Sequence, residues 1–308
     1  MLLLGVDGGQ SSTTAIIGDE TGRVLGRAEA GPCNHVESEQ GRERLVAAIR
    51  ESVSKASASA GLAPGPEFDA AVFGMSGGPR DKRDLIASLI RTRRLEVTDD
   101  ARIALLGASG GGPGIIVIAG TGSIALGCNA EGRIVRAGGW GYIFGDEGSG
   151  FDLVRQALRA SLRHEEGWGP PTTLTARLLQ ATGAASANDA LHCFYTRDWP
   201  RDRVATLAPL VEQAALAADA VARSLLQQAA QQLSALAAAV RTQLFPKGSP
   251  VFTATVGGMF QCKMLAEFFR LLVELEPGCS VGPPRHDPAS GALLAAGQLA
   301  GLSGFSLR

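Results

Sequence analysis

The amino-acid sequence predicts a two-domain α/β protein. Its 308 residues are about twice the roughly 150 residues of an average domain. Short apolar strands alternate with amphipathic helices in the first third of the chain, an order typical of an α/β domain. Two glycine-rich hairpins of similar design lie far apart in the sequence. Their separation favours one hairpin in each domain.

The first hairpin begins with a buried strand over 2–6 and returns through an apolar run over 15–17. Between them lies the polar, glycine-rich segment 7–14. Asp7 ends the first strand, where a carboxylate is well placed to hold Mg²⁺ through water. The hydroxyls of residues 11–14 can donate to phosphate oxygens. The alternative is an aspartate that only caps a turn.

The remainder of the first domain continues the alternation. The predicted elements are strands over 24–30 and 70–74, helices over 39–60 and 81–93, and a strand from 95. The last of these strands ends in Asp99 and Asp100, ahead of an apolar helix over 103–108. One carboxylate is enough to cap that helix, which leaves the other free to act as a general base. The glycine-rich segment 109–114 connects to the second domain.

The second hairpin has apolar strands over 115–118 and 124–126. Its turn reads Ala119-Gly120-Thr121-Gly122-Ser123. The glycines allow backbone N–H groups to approach an anion closely, and the hydroxyls add donors. An ordinary small-residue turn is the alternative for this hairpin alone. Two such hairpins together favour binding of nucleotide phosphates.

A loop over 138–149 follows, with the sequence GGWGYIFGDEGS. Its five glycines, three aromatic residues and two carboxylates are poor material for a helix or a regular strand. Aromatic rings stack on the C–H faces of sugars, and carboxylates accept from sugar hydroxyls. The segment is therefore predicted to contact a sugar, with a purely structural loop as the alternative.

The rest of the second domain is mainly helical. Helices are predicted over 151–162, 174–180, 187–195, 207–244 and 261–275, with a strand over 250–256. Gly257 and Gly258 follow that strand, where bare backbone leaves room for a flat adenosine group. A closing helix to residue 299 opens at Asp287. The predicted boundaries are 1–113 for the first domain, completed by 288–308, and 114–287 for the second.

Composition and charge exclude several classes of partner. The 29 Lys and Arg residues balance 30 Asp and Glu residues, so nucleic acid and anionic membranes are not expected. No run reaches the ~18 apolar residues of a transmembrane helix, and the first residues lack a basic leader. The five scattered cysteines form no CxxC motif. They indicate reduced thiols in the cytoplasm and disfavour a zinc site.

Six motifs together resemble the BadF/BadG/BcrA/BcrD ATPase family, and within it the N-acetylglucosamine kinases. They are DGGQSST, TDDA, AGTGS, GGWGYIFGDEGS, VGGMF and DPASGALLA, in that order. The resemblance implies two ribonuclease-H-like (actin-like ATPase) domains around a central cleft for nucleotide and sugar. It also implies ATP-dependent phosphorylation of the 6-hydroxyl of an amino sugar, with ATP and Mg²⁺ bound and N-acetylglucosamine as the expected substrate.

The same resemblance implies roles for individual residues. Asp100 is the expected catalytic base and Asp7 the expected magnesium ligand. The expected sugar-binding residues are Asn34, Gly139, Trp140 and Asp146. The expected ATP-binding residues are Gly9, Ser12, Thr13, Gly120, Thr121, Gly122 and Gly258. Asp99 departs from the threonine or asparagine usual in these kinases, so whether it shares the role of Asp100 stays open.

Two other functions are compatible with the sequence. A glucosamine kinase would perform the same chemistry on a sugar with a free amine. An ATP-driven activator of a radical dehydratase or reductase would need cysteines for a bridging iron–sulfur cluster, and the sequence has no close cysteine pair. Neither the number of subunits nor the 2-substituent of the sugar can be read from the sequence, and a homodimer is compatible with it.

Overall fold

The computed structural model describes residues 1–9, 11–33, 39–77 and 82–308. The chain divides into two compact units. Unit 1 comprises Met1–Pro113 and Pro284–Arg308, and unit 2 comprises Gly114–Pro283. Each unit has its own sheet, and the last helix of the chain belongs to unit 1.

Ten strands run through the described residues. They are β1 (Leu2–Gly8), β2 (Thr13–Asp19), β3 (Val24–Ala30), β4 (Ala70–Met75), β5 (Leu95–Asp99), β6 (Gly114–Ala119), β7 (Ser123–Cys128), β8 (Ile134–Gly138), β9 (Val251–Val256) and β10 (Cys279–Gly282). The short edge strand β10 was not predicted, because four residues at moderate hydrophobicity give almost no alternation signal.

Eleven α-helices accompany these strands in the described part of the chain. They are α1 (Glu39–Ser59), α2 (Arg83–Leu89), α3 (Asp100–Ser109), α4 (Gly150–Glu165), α5 (Leu174–Thr182), α6 (Ala187–Phe194), α7 (Arg201–Ala205), α8 (Pro209–Leu216), α9 (Ala220–Leu244), α10 (Lys263–Glu274) and α11 (Pro288–Leu299). A 3₁₀ turn, Gly258–Gln261, precedes α10.

The two sheets have the same topology. In unit 1 the strand order is β3-β2-β1-β4-β5, and in unit 2 it is β8-β7-β6-β9-β10. In each sheet the first three strands in sequence are antiparallel, and the last two run parallel to the first. This is the ribonuclease-H-like arrangement, so the predicted fold class is confirmed. The carboxyl ends of three parallel strands therefore meet at one edge of each sheet.

Helices cover both faces of the unit 1 sheet. Leu4 and Val6 of β1 point into the core that α1 closes, whereas Leu3 points into the core formed with α3 and α11. This alternation is the period-two pattern of a strand buried on both faces. The sequence from Leu2 to Val6 is therefore apolar throughout.

Glycines allow α11 to lie very close to its neighbours. A Cβ at Gly5 would lie 2.3 Å from the backbone nitrogen of Leu293 in α11. A Cβ at Gly291 would lie 1.9 Å from the carbonyl oxygen of Ile103 in α3. Because both clashes are with backbone atoms, side-chain rotation cannot relieve them. These contacts fix the position of α11 on both the sheet and α3.

Two helix predictions were wrong in extent. The helix predicted over 81–93 spans only Arg83–Leu89 in the described residues, because backbone groups of Arg91 and Arg93 pair with Phe68 instead. The helix predicted over 207–244 is divided into two helices, α8 and α9. The short helix α7 precedes them and was not predicted.

The break between α8 and α9 has a local cause at Asp219. Ala218 adopts a φ of 65°, which ends α8. The buried carboxylate of Asp219 then accepts from the backbone N–H of Ala222 at 3.0 Å, as the N-cap of α9. The same carboxylate accepts from the hydroxyls of Thr172 and Thr173 at 2.9 and 2.8 Å. Apolar spacing alone could not reveal this cap, because its partners are distant in sequence.

Replacing Gly291 with Ala should lower the free energy of unfolding. Alanine favours a helix over glycine by about 1 kcal/mol, but overpacking against backbone costs about 1–3 kcal/mol or more, so the clash dominates. Gly112→Ala is the matched control, since a Cβ there meets no atom within 4 Å. Urea denaturation of both variants measures the difference. Equal stability of the two variants would contradict the close contact of α11 with α3.

Candidate functional site

Acidic residues gather at the carboxyl edge of the unit 1 sheet. Asp7 lies in β1 opposite Gly74 of β4, and Gly74 lies opposite Thr98 of β5. Helix α3 begins at Asp100, directly after β5. Asp287 is the N-cap of α11, and its carboxylate accepts from the N–H of Ser290 at 2.8 Å. Three elements therefore bring carboxylates to one place.

Small residues explain why these elements converge. At Gly74, a Cβ would lie 2.3 Å from the side chain of Ile103, so the missing side chain admits α3 onto the sheet. At Gly107, a Cβ would lie 2.4 Å from the carbonyl oxygen of Asp287. The start of α11 therefore packs directly on α3. Larger residues at either glycine would move the acidic side chains apart.

The gathered charges change the protonation of Asp7. Burial of its carboxyl group, together with the negative charges of Asp100 and Asp287, raises the pKa of Asp7 from 3.8 to about 6. Arg27 lowers it in part. Arg27 also forms an ion pair with Asp287 at 2.6 Å. A cation bound beside Asp7 would therefore stabilise the ionised form of its carboxyl group.

The protein groups alone do not form a complete metal site. Among the described residues, no group of three or more His, Cys, Asp or Glu side chains is arranged to hold a metal ion. A magnesium ion typically uses one or two carboxylates and takes its other ligands from water and phosphate. The donor chemistry at Asp7 fits that pattern.

The adjacent residues Asp99 and Asp100 have different environments. Asp99 ends β5, is exposed, and occupies the N-cap position of α3 without a side-chain capping hydrogen bond. Asp100 is the first residue of α3 and is partly buried, and its Oδ1 accepts from the N–H of Ala101 at 2.8 Å. The helix thus begins earlier than residue 103, where it was predicted to start.

The turn of the first hairpin is closed by backbone hydrogen bonds. The N–H of Gly9 donates to the carbonyl of Ser12 at 2.9 Å, and the N–H of Cys33 donates to the carbonyl of Gly9 at 2.9 Å. Thr13 is fully buried, and its hydroxyl donates to the carbonyl of Gly31 at 2.8 Å. Gly9 and Ser12 therefore lie at the turn, whereas Thr13 lies in the interior. Asn34 falls outside the described residues.

In unit 2, Asp146 supports the turn of the second hairpin. Its Oδ1 accepts from the N–H of Ser123 at 3.3 Å, and a Cβ at Gly122 would lie 2.8 Å from its carboxylate. Glu147 accepts from the Ser123 hydroxyl through its carbonyl at 2.7 Å. Asp146 itself has a φ of 61°, which is uncommon for a non-glycine residue. The loop and the turn are therefore one connected structure.

Arg201 joins this structure from α7. Its Nη2 lies 3.4 Å from Oδ2 of the buried Asp146, and its guanidinium lies 4.8 Å from the ring centre of Tyr142. Its Nε is buried without a hydrogen-bond partner in the described residues. Sequence reasoning missed Arg201, because its partners lie in a loop more than fifty residues earlier, and the separation of 55 residues leaves no local pattern.

The glycine-rich loop presents an aromatic surface. Trp140 is 66% exposed, and the guanidinium of Arg136 lies 4.6 Å from the centre of its ring. Gly139, with a φ of 73°, precedes it. Three of the four predicted sugar-binding residues belong to this loop. Gly139 and Trp140 lie in its open part, and Asp146 lies buried beneath it.

A cavity of about 510 Å³ in unit 2 brings together three predicted ATP-binding residues, Gly120, Thr121 and Gly258. A Cβ at Gly120 or Gly258 would meet no atom within 4 Å, so both glycines leave space open. Gly257 is different, since its φ is 107° and a Cβ would lie 2.3 Å from the carbonyl oxygen of Ala119. It holds β9 close to β6 beside the cavity.

Other residues of the cavity were not predicted. They include Asp202, Thr206, Pro209, Glu212, Gln261 and Cys262. Pro209 and Glu212 lie in α8, where the sequence indicated only a core helix, and Asp202 and Thr206 lie in or beside α7, where no element was predicted. Helical periodicity identifies the buried face of a helix, but it does not show which of its other residues line a cavity.

The acidic strand edge of unit 1, the glycine-rich turn and cavity of unit 2, and the repeated topology define an α/β protein of the ribonuclease-H-like ATPase class. The sequence profile of the BadF/BadG/BcrA/BcrD ATPase family matches residues 4–296. The chain belongs to this family.

Full-length relatives support the assignment. The chain is 34% identical to an N-acetylmuramic acid/N-acetylglucosamine kinase of Clostridium acetobutylicum, across 96% of this chain and 97% of that protein. It is 30% identical to an N-acetyl-D-glucosamine kinase of Dictyostelium discoideum, with the same coverage of 96% and 97%. A crystal structure of a candidate N-acetylglucosamine kinase from Chromobacterium violaceum superposes with a TM-score of 0.70 and 31% identity, covering 95% of this chain and 98% of that one.

A membrane-spanning helix is also absent from the described part of the chain, where none combines the length and the hydropathy needed to cross a bilayer.

Replacing Asp7 with Asn should stabilise the metal-free protein at neutral pH. The unfolded carboxyl group loses its proton near pH 3.8, whereas the folded one retains it until about pH 6. Stability therefore falls as the pH rises between these values, and the full penalty applies above pH 6. The shift corresponds to about 1–3 kcal/mol, which the variant should recover.

Urea denaturation with EDTA at pH 7.5 and pH 4 measures this effect. The gain should appear at pH 7.5 and largely vanish at pH 4, where the folded carboxyl group is already neutral. Asp99→Asn, at an exposed position, is the control and should change little. A loss of stability in Asp7→Asn at pH 7.5 would contradict the electrostatic argument.

Proposed function

We propose that this protein is an ATP-dependent kinase that phosphorylates the 6-hydroxyl of an amino sugar, with N-acetylglucosamine as the principal substrate. The observation that carries the proposal is the proximity of Asp7 and Asp100 at the strand edge of unit 1. Asp7 lies beside Gly74 of β4, Gly74 lies beside Thr98 of β5, and Asp100 begins α3 directly after β5. The charge of Asp100 contributes to the raised pKa of Asp7. The activities given for the full-length relatives support the same reaction.

Asp100 is the proposed catalytic base. Its carboxylate takes the proton of the sugar 6-hydroxyl while the oxygen attacks the γ-phosphorus of ATP. The bond between that phosphorus and the bridging oxygen breaks, and ADP leaves with the electron pair. Phosphoryl transfer of this kind depends on positioning and on neutralisation of charge. The partly buried position of Asp100 at the start of α3 holds its carboxylate in place.

Asp7 is the proposed magnesium ligand. The raised pKa of Asp7 supports this role, because it reflects negative charges that a cation would offset. Bound Mg²⁺ would neutralise charge on the ATP phosphates. Arg27 limits the repulsion by pairing with Asp287, which leaves Asp7 and Asp100 as the available carboxylates of the edge.

ATP is proposed to contact the glycine-rich turns. Thr121 and Gly122 are proposed to offer backbone N–H groups and a hydroxyl, whereas the N–H of Gly120 donates to the carbonyl of Gly122 at 2.9 Å and closes the turn. The cavity lined by Gly120, Thr121 and Gly258 offers room for adenosine. In the first hairpin, Gly9 and Ser12 are proposed to contact phosphate directly. The buried hydroxyl of Thr13 supports the turn from below, through its bond to the carbonyl of Gly31.

Sugar binding is proposed for Gly139 and Trp140, with Asn34 as a further contact. The exposed ring of Trp140 supports this role, since the C–H face of a hexosamine can stack on it. Asp146 is the fourth proposed sugar residue, and its bond to Ser123 would link sugar binding to the phosphate turn. Action in the cytoplasm is supported by the five free thiols, whereas assembly as a homodimer stays a prediction.

A coupled assay of ADP release tests the proposed function. N-acetylglucosamine should give the highest kcat/KM in a panel with N-acetylmuramic acid and glucosamine, and turnover should require Mg²⁺. Phosphorylation at the 6-position is checked by NMR of the product. Preference for glucosamine would assign the alternative substrate, whereas absence of sugar-dependent turnover would contradict a kinase.

Replacing Asp100 with Asn should lower kcat with N-acetylglucosamine by about 10²–10⁴-fold, because positioned proton transfer contributes about that much. Binding of ATP should change little. Asp99→Asn is the matched control, with the same chemical change at the neighbouring exposed residue, and should cost less than about tenfold. A larger loss of kcat from Asp99→Asn than from Asp100→Asn would reverse the assignment of the base.

A further inference from the structure

A second, larger cavity of unit 2 lies away from the glycine-rich turn. Its volume is about 770 Å³, within the range of small-molecule sites. Ile115, Thr253 and Cys279 line it, all near the beginnings of β6, β9 and β10. The turn at Gly120 follows the other end of β6, about 16 Å further along the strand. This cavity is therefore separate from the one proposed for adenosine.

Two helices form its walls. The second half of α9 contributes hydroxyl and small side chains, including Ser234, Ala238 and Thr242. The end of α10 contributes Leu272, and Glu276 follows that helix. The hydroxyls of Ser234 and Thr242 donate to carbonyls of α9, which leaves their oxygens free to accept from a ligand. Such a lining suits a small molecule that carries both hydroxyl and C–H groups.

Arg241 gives the cavity a buried positive charge. It is only 8% exposed. Its Nε donates to Cys279 Sγ at 3.0 Å, its Nη2 donates to the carbonyl of Ser249 at 3.5 Å, and its Nη1 lies 3.4 Å from Glu276. These contacts use at most three of the five N–H groups of a guanidinium. Two N–H groups therefore have no partner among the described residues.

The charge balance at the cavity favours an anion. Its charged lining residues are Arg241, Lys247 and Glu276, which leaves one net positive charge. Glu276 balances the charge of Arg241 in part, and the guanidinium N–H positions that the protein contacts do not use can donate to an anion. Lys247 is exposed, where it can attract an anion from solvent.

We propose that this cavity binds a small organic anion, with one phosphate or carboxylate group on a hydroxyl-bearing body. The anionic group pairs with Arg241, and the body lies against α9 and α10. Gln261 and Cys262, just before α10, line the adenosine cavity, and Leu272 near the end of α10 lines this one. The two cavities thus lie at opposite ends of α10, although binding at the second cavity does not depend on the proposed kinase reaction.

Alkylation of Cys279 by iodoacetamide, followed by peptide mass spectrometry, tests the proposal. The probes are glucose 6-phosphate, gluconate and glucose, which share a hydroxylated body and differ in the anionic group. At a concentration of about ten times Kd, a bound anion should slow the alkylation about tenfold, since only unoccupied protein reacts. Glucose should give no protection. Cys193, which is also half-buried but lies outside the cavity, is the internal control.

A pair of variants shows whether protection arises in the cavity. Ala238→Phe places a ring in the cavity, whereas Ala239→Phe places the same ring at the adjacent exposed position outside it. An anion-dependent rise in Tm should persist in Ala239→Phe and be lost in Ala238→Phe. This second readout also decides the outcome if Cys279 does not react.

Several results would overturn the proposal. Protection by neither anion, or equal protection by glucose, would exclude an anion site. An identical anion effect on Tm in both variants would place binding elsewhere. If Ala238→Phe alone changed the oligomeric state in size-exclusion chromatography, the cavity would be an interface between two copies of the chain instead.

Discussion

The close contact of α11 with β1 and α3 determines the geometry of the acidic edge, the carboxyl edge of the unit 1 sheet where Asp7, Asp100 and Asp287 lie. Gly5 and Gly291 let backbone lie against backbone, and Gly107 brings the start of α11 onto α3. Because Asp287 begins α11 and Asp100 begins α3, the separation of these helices sets the distances between their carboxylates. The electrostatic environment of Asp7 therefore depends on glycines, which carry no side chain. Such close packing transmits a change at one glycine directly to the site.

Unit 2 has the same strand order as unit 1 but different residues at the ends of its strands. Beyond its first strand lies a small-residue turn supported by Asp146 and Arg201. The equivalent turn in unit 1 is supported by the buried hydroxyl of Thr13. One topology thus carries acidic residues at the strand ends of unit 1 and a glycine-rich turn at the strand ends of unit 2, and the difference lies in the residues at those ends.

Sequence reasoning identified the features that have local signals. Strand–turn–strand patterns located both hairpins, and glycine content located the loop around Trp140. It missed features produced by contacts between distant residues. The cap at Asp219 depends on Thr172 and Thr173, and Arg201 is defined by Asp146. The helical part of the lining of both unit 2 cavities was missed for the same reason, since helices α8 to α10 show the same periodicity whether or not a cavity adjoins them.

The position of α11 in the chain affects when unit 1 can fold. Helix α11 follows the whole of unit 2 in sequence, yet it supplies Ala292, Leu293 and Ala296 to the core beneath β1 and β4. During synthesis on the ribosome, all of unit 2 is made before this core can close. The side chains of Leu3 and Val72 stay uncovered by α11 until that helix leaves the ribosome. A chain that stops short of α11 would keep an exposed apolar sheet face and would lack Asp287 at the carboxyl edge of the sheet. Translation of the last helix is thus the step that allows the core of unit 1 to close, and a chain terminated before it would expose apolar surface of the kind that chaperones and proteases recognise.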